Sequence, residues 1–193
     1  MRKYLSSLLV GLTILLATAC GDDGFKYSDY HCNLSLDNAT HQDATLATAM
    51  DANAPGTFCI ISSTRKGGAL WFTFANNHGL SSESIFNAID QRLESQKHIG
   101  LNGRLIIGYG NMDHPAHFYA YDGECPKCFQ PNALPLKSYP LQINSEGIAE
   151  CAACHLRFNL NLEGICINVT VNIFQFVFCA AIFYDCYISI GDT

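Results

Sequence analysis

The chain has 193 residues, a formal charge of −6 from 17 acidic and 11 basic side chains, and ten cysteines. An acidic chain without a basic run argues against nucleic acid as a partner. Its length allows one ordinary domain behind a short leader, and its richness in Val, Ile, Phe, Tyr, Thr, Asn and Gly favours strands and turns.

Arg2 and Lys3 precede an apolar stretch from about Leu5 to Ala19, and the small residues Ala17, Thr18 and Ala19 lead into Cys20. These are the n-region, h-region and cleavage site of a secretory signal over residues 1–19. The stretch falls short of the roughly 20 apolar residues that a spanning helix needs. A cysteine at the cleavage point resembles the lipobox of bacterial lipoproteins, with Ala17 where Leu is usual. The resemblance implies that Cys20 is acylated and is the contact with a membrane. One acyl chain binds only marginally, so stable anchoring implies several. Residues 20–30 then form the anchor and a tether, which includes the acidic, flexible Gly21-Asp22-Asp23-Gly24. An acidic pair just past the cysteine resembles the surface-export tag of some Gram-negative lipoproteins. It implies an outer membrane lipoprotein and leaves cell-surface exposure open.

Residues 31–164 read as the folded domain. The segment 25–55 looks loop-rich and closes on Pro55-Gly56. Phe58–Ile61 reads as a strand, Arg65-Lys66-Gly67-Gly68 as a turn and Leu70–Phe74 as the returning strand of a hairpin. Trp71, Phe72 and Phe74 read as core or sheet-face residues. Ser81 or Ser82 caps a predicted short helix carrying Ile85, Phe86, Ile89 and Leu93 at helical spacing. Arg104–Tyr109 and His117–Tyr121 are two further strands.

Cys125-Pro126-Lys127-Cys128 and Cys151-Ala152-Ala153-Cys154 follow, 22 residues apart. Two residues between cysteines let a tight turn aim both sulfurs the same way. Two such knuckles, on neighbouring hairpin tips, supply four soft ligands at tetrahedral geometry. Closing the intervening loop costs about 3 kcal/mol, against an apparent binding energy of about 10–16 kcal/mol for structural zinc. A thioredoxin-like reading is disfavoured, because there are two pairs and no βαβ pattern around either. With Cys20 assigned to lipid, Cys32, Cys59, Cys166, Cys179 and Cys186 remain. Their odd number cannot all pair within one chain, and Cys32 with Cys59 is one conceivable disulfide.

The flanks of these knuckles resemble the cluster boxes of Rieske ferredoxins. Ala120-Tyr121-Asp122-Gly123-Glu124-Cys125-Pro126 is similar to the strand leading into Cys-Pro-His. Cys151 to Leu160, with Gly164 beyond, is similar to Cys-x-x-His-Gly-x-x-Phe-x-Leu…Gly, and residues 103–109 fit the strand before the first box. From lipobox to second box, the layout resembles Rieske-like lipoproteins of Gram-negative gut bacteria. That implies an all-β fold, a Rieske-like sandwich with a rubredoxin- or zinc-ribbon-like knuckle subdomain over about 120–164, leaving room for one short helix.

The departures change the chemistry. A Rieske centre takes one histidine from each box, but those positions hold Lys127 and Cys154, and His155 stands where the family has glycine. The metal ligands are therefore read as Cys125, Cys128, Cys151 and Cys154, with His155 as a candidate second-layer donor to a thiolate. Four cysteines suit zinc, which is the first choice because it needs no cluster assembly outside the cytoplasm. A rubredoxin-like iron or an all-Cys [2Fe–2S] cluster, near about −400 mV, is the alternative.

The two metals separate a non-catalytic zinc module from an electron-transfer protein. A surface ligand-binding protein is a third class, with no residues assigned. No GxSxG elbow, P-loop or HExxH stands out, so an enzyme is poorly supported. Asp113-His114-Pro115-Ala116-His117 reads as a solvated loop, and His31 and His41 flank Asp37 and Asp43 without fixed geometry. The tail 165–193 is divergent and apolar. Ile165, Ile167, Val169, Val171 and Ile173 alternate like a strand, and no charge occurs between Glu163 and Asp185. Closing strands, a membrane segment and a frame-altered tail all stay open there.

Overall fold

The structure, a computed structural model, describes residues 32–168. The leader, Cys20, the tether, His31 and residues 169–193 lie outside the described residues. So do Cys179 and Cys186.

Two antiparallel sheets dominate. In the first, β1 (Phe58–Lys66) and β2 (Ala69–Asn76) form a hairpin about Gly67-Gly68, paired from Cys59 opposite Asn76 to Lys66 opposite Ala69. With β3 (Ser81–Ile85), β4 (Arg104–Tyr109) and β5 (Phe118–Asp122), the strand order is β3-β2-β1-β4-β5. The second sheet runs β6 (Leu141–Ile143), β7 (Ile148–Cys151), β8 (Arg157–Asn159) and β9 (Ile165–Cys166) in sequential order. Three short helices, α1 (Asn38–His41), α2 (Ala44–Ala49) and α3 (Ala88–Leu93), and a 3₁₀ turn at Glu94–Gln96 complete the described elements. The fold is mostly β, as expected, with more helical turns than the one anticipated.

The alternation of side chains along a strand divides the first sheet between two cores. Cys59 and Ile61 of β1, Phe72 and Phe74 of β2, and Leu105 and Ile107 of β4 face one way, against Leu34, Leu36, Leu46 and Phe86. Phe58 and Ile106 face the other way with Tyr121, and meet Leu141, Ala149, Phe158 and Leu160 from the second sheet and its flank. β4 is therefore buried on both faces, which explains its unbroken apolar run Leu105-Ile106-Ile107. The Tyr121 hydroxyl donates to the Leu160 carbonyl at 2.8 Å, a buried strut between the layers.

Three expectations are corrected. The segment 25–55 is not merely loop from residue 32 onward. Asp37 and Asp43 cap α1 and α2 through bonds to the Ala39 and Leu46 amides. Leu34, Leu36 and Leu46 are wholly buried under the first sheet. Ser81 and Ser82 do not cap a helix, because Ser81–Ile85 is the edge strand β3, paired to β2 with Phe74 opposite Ser82. The helix begins at Ala88, where Asn87 and Asp90 form a reciprocal capping box. Pairing to β2 satisfies the half of the β3 backbone that faces it, while Ser82 bonds Asp43 at 2.9 Å and Thr45 at 2.7 Å. Finally, Cys59 is a free thiol, so no Cys32–Cys59 disulfide forms, although both lie in the same core.

Candidate metal centre

Each knuckle grows out of a strand. β5 ends at Asp122, the Gly123 amide donates to the Arg104 carbonyl at 2.9 Å, and the chain turns into Cys125. Gly123 is required there, since a Cβ would stand 2.2 Å from the Arg104 Cγ. The Cys128 and Phe129 amides return to the Cys125 carbonyl at 3.2 and 2.9 Å, which closes the first turn. β7 ends on Cys151. The His155 amide donates to the Cys151 carbonyl at 2.8 Å, and the Cys151 amide donates to the Leu156 carbonyl at 3.0 Å. This second knuckle is the tip of the β7–β8 hairpin. The first is closed at its base by the Glu124–Pro140 bridge and by the Cys125 amide on the Tyr139 carbonyl at 2.9 Å.

The four sulfurs of Cys125, Cys128, Cys151 and Cys154 lie within 4.8 Å of one another. Cys125 Sγ is 3.6 Å from Cys154 Sγ, and Cys151 Sγ is 3.9 Å from Cys128 Sγ. A tetrahedral ion with metal–sulfur bonds of about 2.3 Å has sulfur–sulfur edges of about 3.8 Å. These two pairs, each crossing from one knuckle to the other, bracket that edge. None of the four is in a disulfide. This is a four-cysteine cluster consistent with a metal-binding site.

The four thiols are not equivalent. Cys125 and Cys151 are buried in the second core, whereas Cys128 and Cys154 sit on its rim. Burial pushes the Cys125 thiol up, although the Lys127 and Cys128 amides face its sulfur and oppose the rise. Burial also pushes Cys128 up, to about 11. Burial raises Cys154 too, but the Leu156 amide and the neighbouring sulfurs outweigh it and hold this thiol below its ordinary value. Amides aimed at sulfur favour thiolate, the form that binds metal.

The surroundings carry charge that the motif did not advertise. Glu124, only 2 % exposed, accepts from Asn102 Nδ2 at 2.6 Å, from Ser138 Oγ at 2.5 Å and from the Tyr139 amide. Asp122 accepts from the Leu101 and Glu124 amides at 2.6 and 2.7 Å. Arg104 lies near enough to Glu124 to feel its charge. Burial pulls its pKa down and Glu124 opposes that shift, while its Nε lacks a hydrogen-bond partner among the described residues. These groups fasten the first knuckle to the end of the first sheet.

His155 reaches the site through its backbone. Its φ of 56° supplies the left-handed turn that closes the second knuckle, a conformation glycine adopts more readily. Its imidazole, the candidate donor, is 78 % exposed with Nδ1 3.8 Å from Glu150 Oε1. Of the Asp113–His117 loop, His117 is exposed at 3.6 Å from Asp113, which also accepts from the Tyr119 hydroxyl at 2.8 Å.

One polar cluster escaped sequence reasoning. His41 Nε2 lies 3.0 Å from Asp90 Oδ2, and His41 Nδ1 lies 2.7 Å from Ser84 Oγ. Lys97 Nζ holds the other Asp90 oxygen at 2.5 Å and sits over the Phe72 and Phe86 rings. The contacts follow a serine–histidine–aspartate order, yet the imidazole is 2 % exposed and edge-on to Phe72. No substrate reaches such a ring. The cluster ties α1 to the β3 edge and α3, and only the Asn87-x-x-Asp90 box hinted at it.

The comparisons with known proteins come out empty. No family model matches the chain, and neither a curated protein nor a solved structure does.

Proposed function

We propose that this protein is an exported, lipid-anchored module of the outer membrane whose domain holds one structural zinc ion through Cys125, Cys128, Cys151 and Cys154. The observation that carries the reading is the four sulfurs within 4.8 Å of one another. In a two-iron cluster the thiolates sit on two metals held apart by bridging sulfides, which sets opposite ligands wider than ligands sharing one ion. A set this tight favours a single ion. Zinc supplies no redox chemistry and acts as a cross-link between the two knuckles. The residues around it hold the cross-link in place: Gly123 and Glu124 dock the first knuckle, and His155 closes the second.

The Rieske likeness enters this proposal as a likeness of layout, with Lys127 and Cys154 in place of its histidines. Anchoring rests on the leader and Cys20. Among the described residues no helix is long and apolar enough to cross a membrane.

Metal analysis with a visible absorption spectrum, on protein purified anaerobically, tests the reading. One zinc per chain and no colour is expected. One iron per chain with a bleachable spectrum would replace it with an electron carrier. Iron together with inorganic sulfide would further refute the single-ion site.

A further inference from the structure

The loop between the first knuckle and β6 carries a surface that the metal site does not use. Residues 130–138 are exposed except for half-buried Ala133, with Leu134 97 % and Leu136 51 % exposed. Isolated exposed leucines are ordinary on protein surfaces. Here the two occur beside the exposed Pro135, on a loop fixed at both ends. Its first end is the knuckle, with Phe129 buried at 7 % and bonded to the Cys125 carbonyl. Its other end is Glu124, which grips Ser138 and the Tyr139 amide. The fold thus holds two apolar side chains out in solvent.

The charge on this loop and the knuckle that precedes it is opposite to that of the whole chain. Between Glu124 and Glu146 the only charged residues are Lys127 and Lys137, in a protein of charge −6. Both lysines are exposed, and Lys137 Nζ lies 5.3 Å from the centre of the Tyr139 ring. Apolar tips flanked by lysine and tyrosine suit the boundary between acyl chains and anionic headgroups. The apolar, uncharged stretch Phe174–Ala181 of the same chain could cover leucines but offers the lysines nothing.

The position of the loop agrees. Asn33, near the start of the described chain, pairs with His98, and the segment that follows His98 bonds the loop's root through Asn102 and Glu124. Twelve residues from Cys20 to Cys32 reach at most about 40 Å. An anchor at Cys20 can therefore hold this end of the domain against a bilayer.

We propose that Leu134 and Leu136 insert into an anionic lipid surface, with Lys127 and Lys137 on its headgroups, so that the domain lies on the membrane rather than hanging from it. This deepens the lipid-anchor reading. By the usual worth of a lysine near an anionic surface, each contributes roughly fivefold to the docked population, and the pair about thirtyfold.

The test is a Leu134→Trp variant of the whole chain, recovered from membranes and placed in vesicles of phosphatidylethanolamine and phosphatidylglycerol with brominated acyl chains. The parent protein, with its single native Trp71, sets the baseline. Quenching of the introduced indole is expected, and adding Lys127→Gln and Lys137→Gln should diminish it. An indole that emits equally in brominated and plain vesicles overturns the proposal. So does quenching that is indifferent to both lysine changes and unchanged in vesicles of phosphatidylcholine alone. Intact mass of the same preparation reads acylation of Cys20 separately. An acylated chain with an unquenched indole refutes the docked loop alone, and an unacylated chain with a quenched indole refutes the anchor alone.

Discussion

Replacing Cys154 by serine removes one of four ligands at the rim of the centre while leaving the core filled. Structural zinc sites carry about 10–16 kcal/mol of apparent binding energy, so an even division gives about 3 kcal/mol per thiolate. That weakens binding roughly two-hundredfold. With metal in excess the same energy leaves the folding equilibrium, and a domain of this size loses about 2–4 °C in Tm per kcal/mol. The expected fall is about 6–12 °C, read by thermal melting alongside competition with a chromophoric chelator. Cys151→Ser is the control for burial. Cys151 is 1 % exposed in an apolar core, so its hydroxyl costs a further 1–3 kcal/mol or so even without metal. A Cys154→Ser protein with parental metal content and parental Tm would refute the four-thiolate site. So would a parent whose Tm is unmoved by chelator.

Other perturbations probe the frame. Asp90→Asn leaves Lys97, itself 6 % exposed, without its counter-charge, and should cost about 3–5 kcal/mol in urea unfolding; a change within error would show that the cluster contributes nothing. Cys59 ionises near 9.0 in the unfolded chain, but burial pushes it to about 12 in the fold. Its stabilising contribution is therefore complete below pH 9 and is lost as pH rises toward 12. Cys59→Ala should flatten the alkaline decline in denaturant midpoint. Gly147 has a φ of 75°, and an added Cβ would meet Asn161 Nδ2 at 2.6 Å and Phe58 Cε2 at 2.9 Å. Gly147→Ala should cost about 1–3 kcal/mol by thermal melting.

How far the sequence could be read depended on the range of the interactions. β1, β2, β4 and β5 are rich in β-branched and aromatic residues and bounded by glycine, so local pattern located them. β3 did not announce itself, since Ser81-Ser82-Glu83-Ser84 carries no apolar alternation. It is a strand because β2 offers an open edge and Asp43 and Thr45 wait for Ser82. Leu34 and Leu36 alternate with polar residues, but scattered Asn, Asp and His disguised a segment that helps cover one sheet face. The metal motif was legible because its ligands come in two local pairs, each shaped by its own turn. The His41–Asp90–Lys97 cluster draws on three separated stretches, and no spacing rule joins them.

That division has an energetic consequence. The core under α1 and α2 contains none of the four ligands, whereas the other holds Cys125 and Cys151 within it and Cys128 and Cys154 against it. Removing metal should therefore act unevenly. The second sheet has strands of only two to four residues, too short to hold register without the cross-link. β1, β2 and β4 pair along five to eight positions and keep their own apolar cover. Hydrogen exchange after chelation should show protection lost across about 125–166 and retained in β1, β2 and β4, with the exposed loop 130–138 released from its root. Uniform loss over both sheets would mean that the two cores unfold as one unit. Uniform retention would mean that the knuckles stand without metal, and either result would refute a cross-link that stabilises one half of the domain.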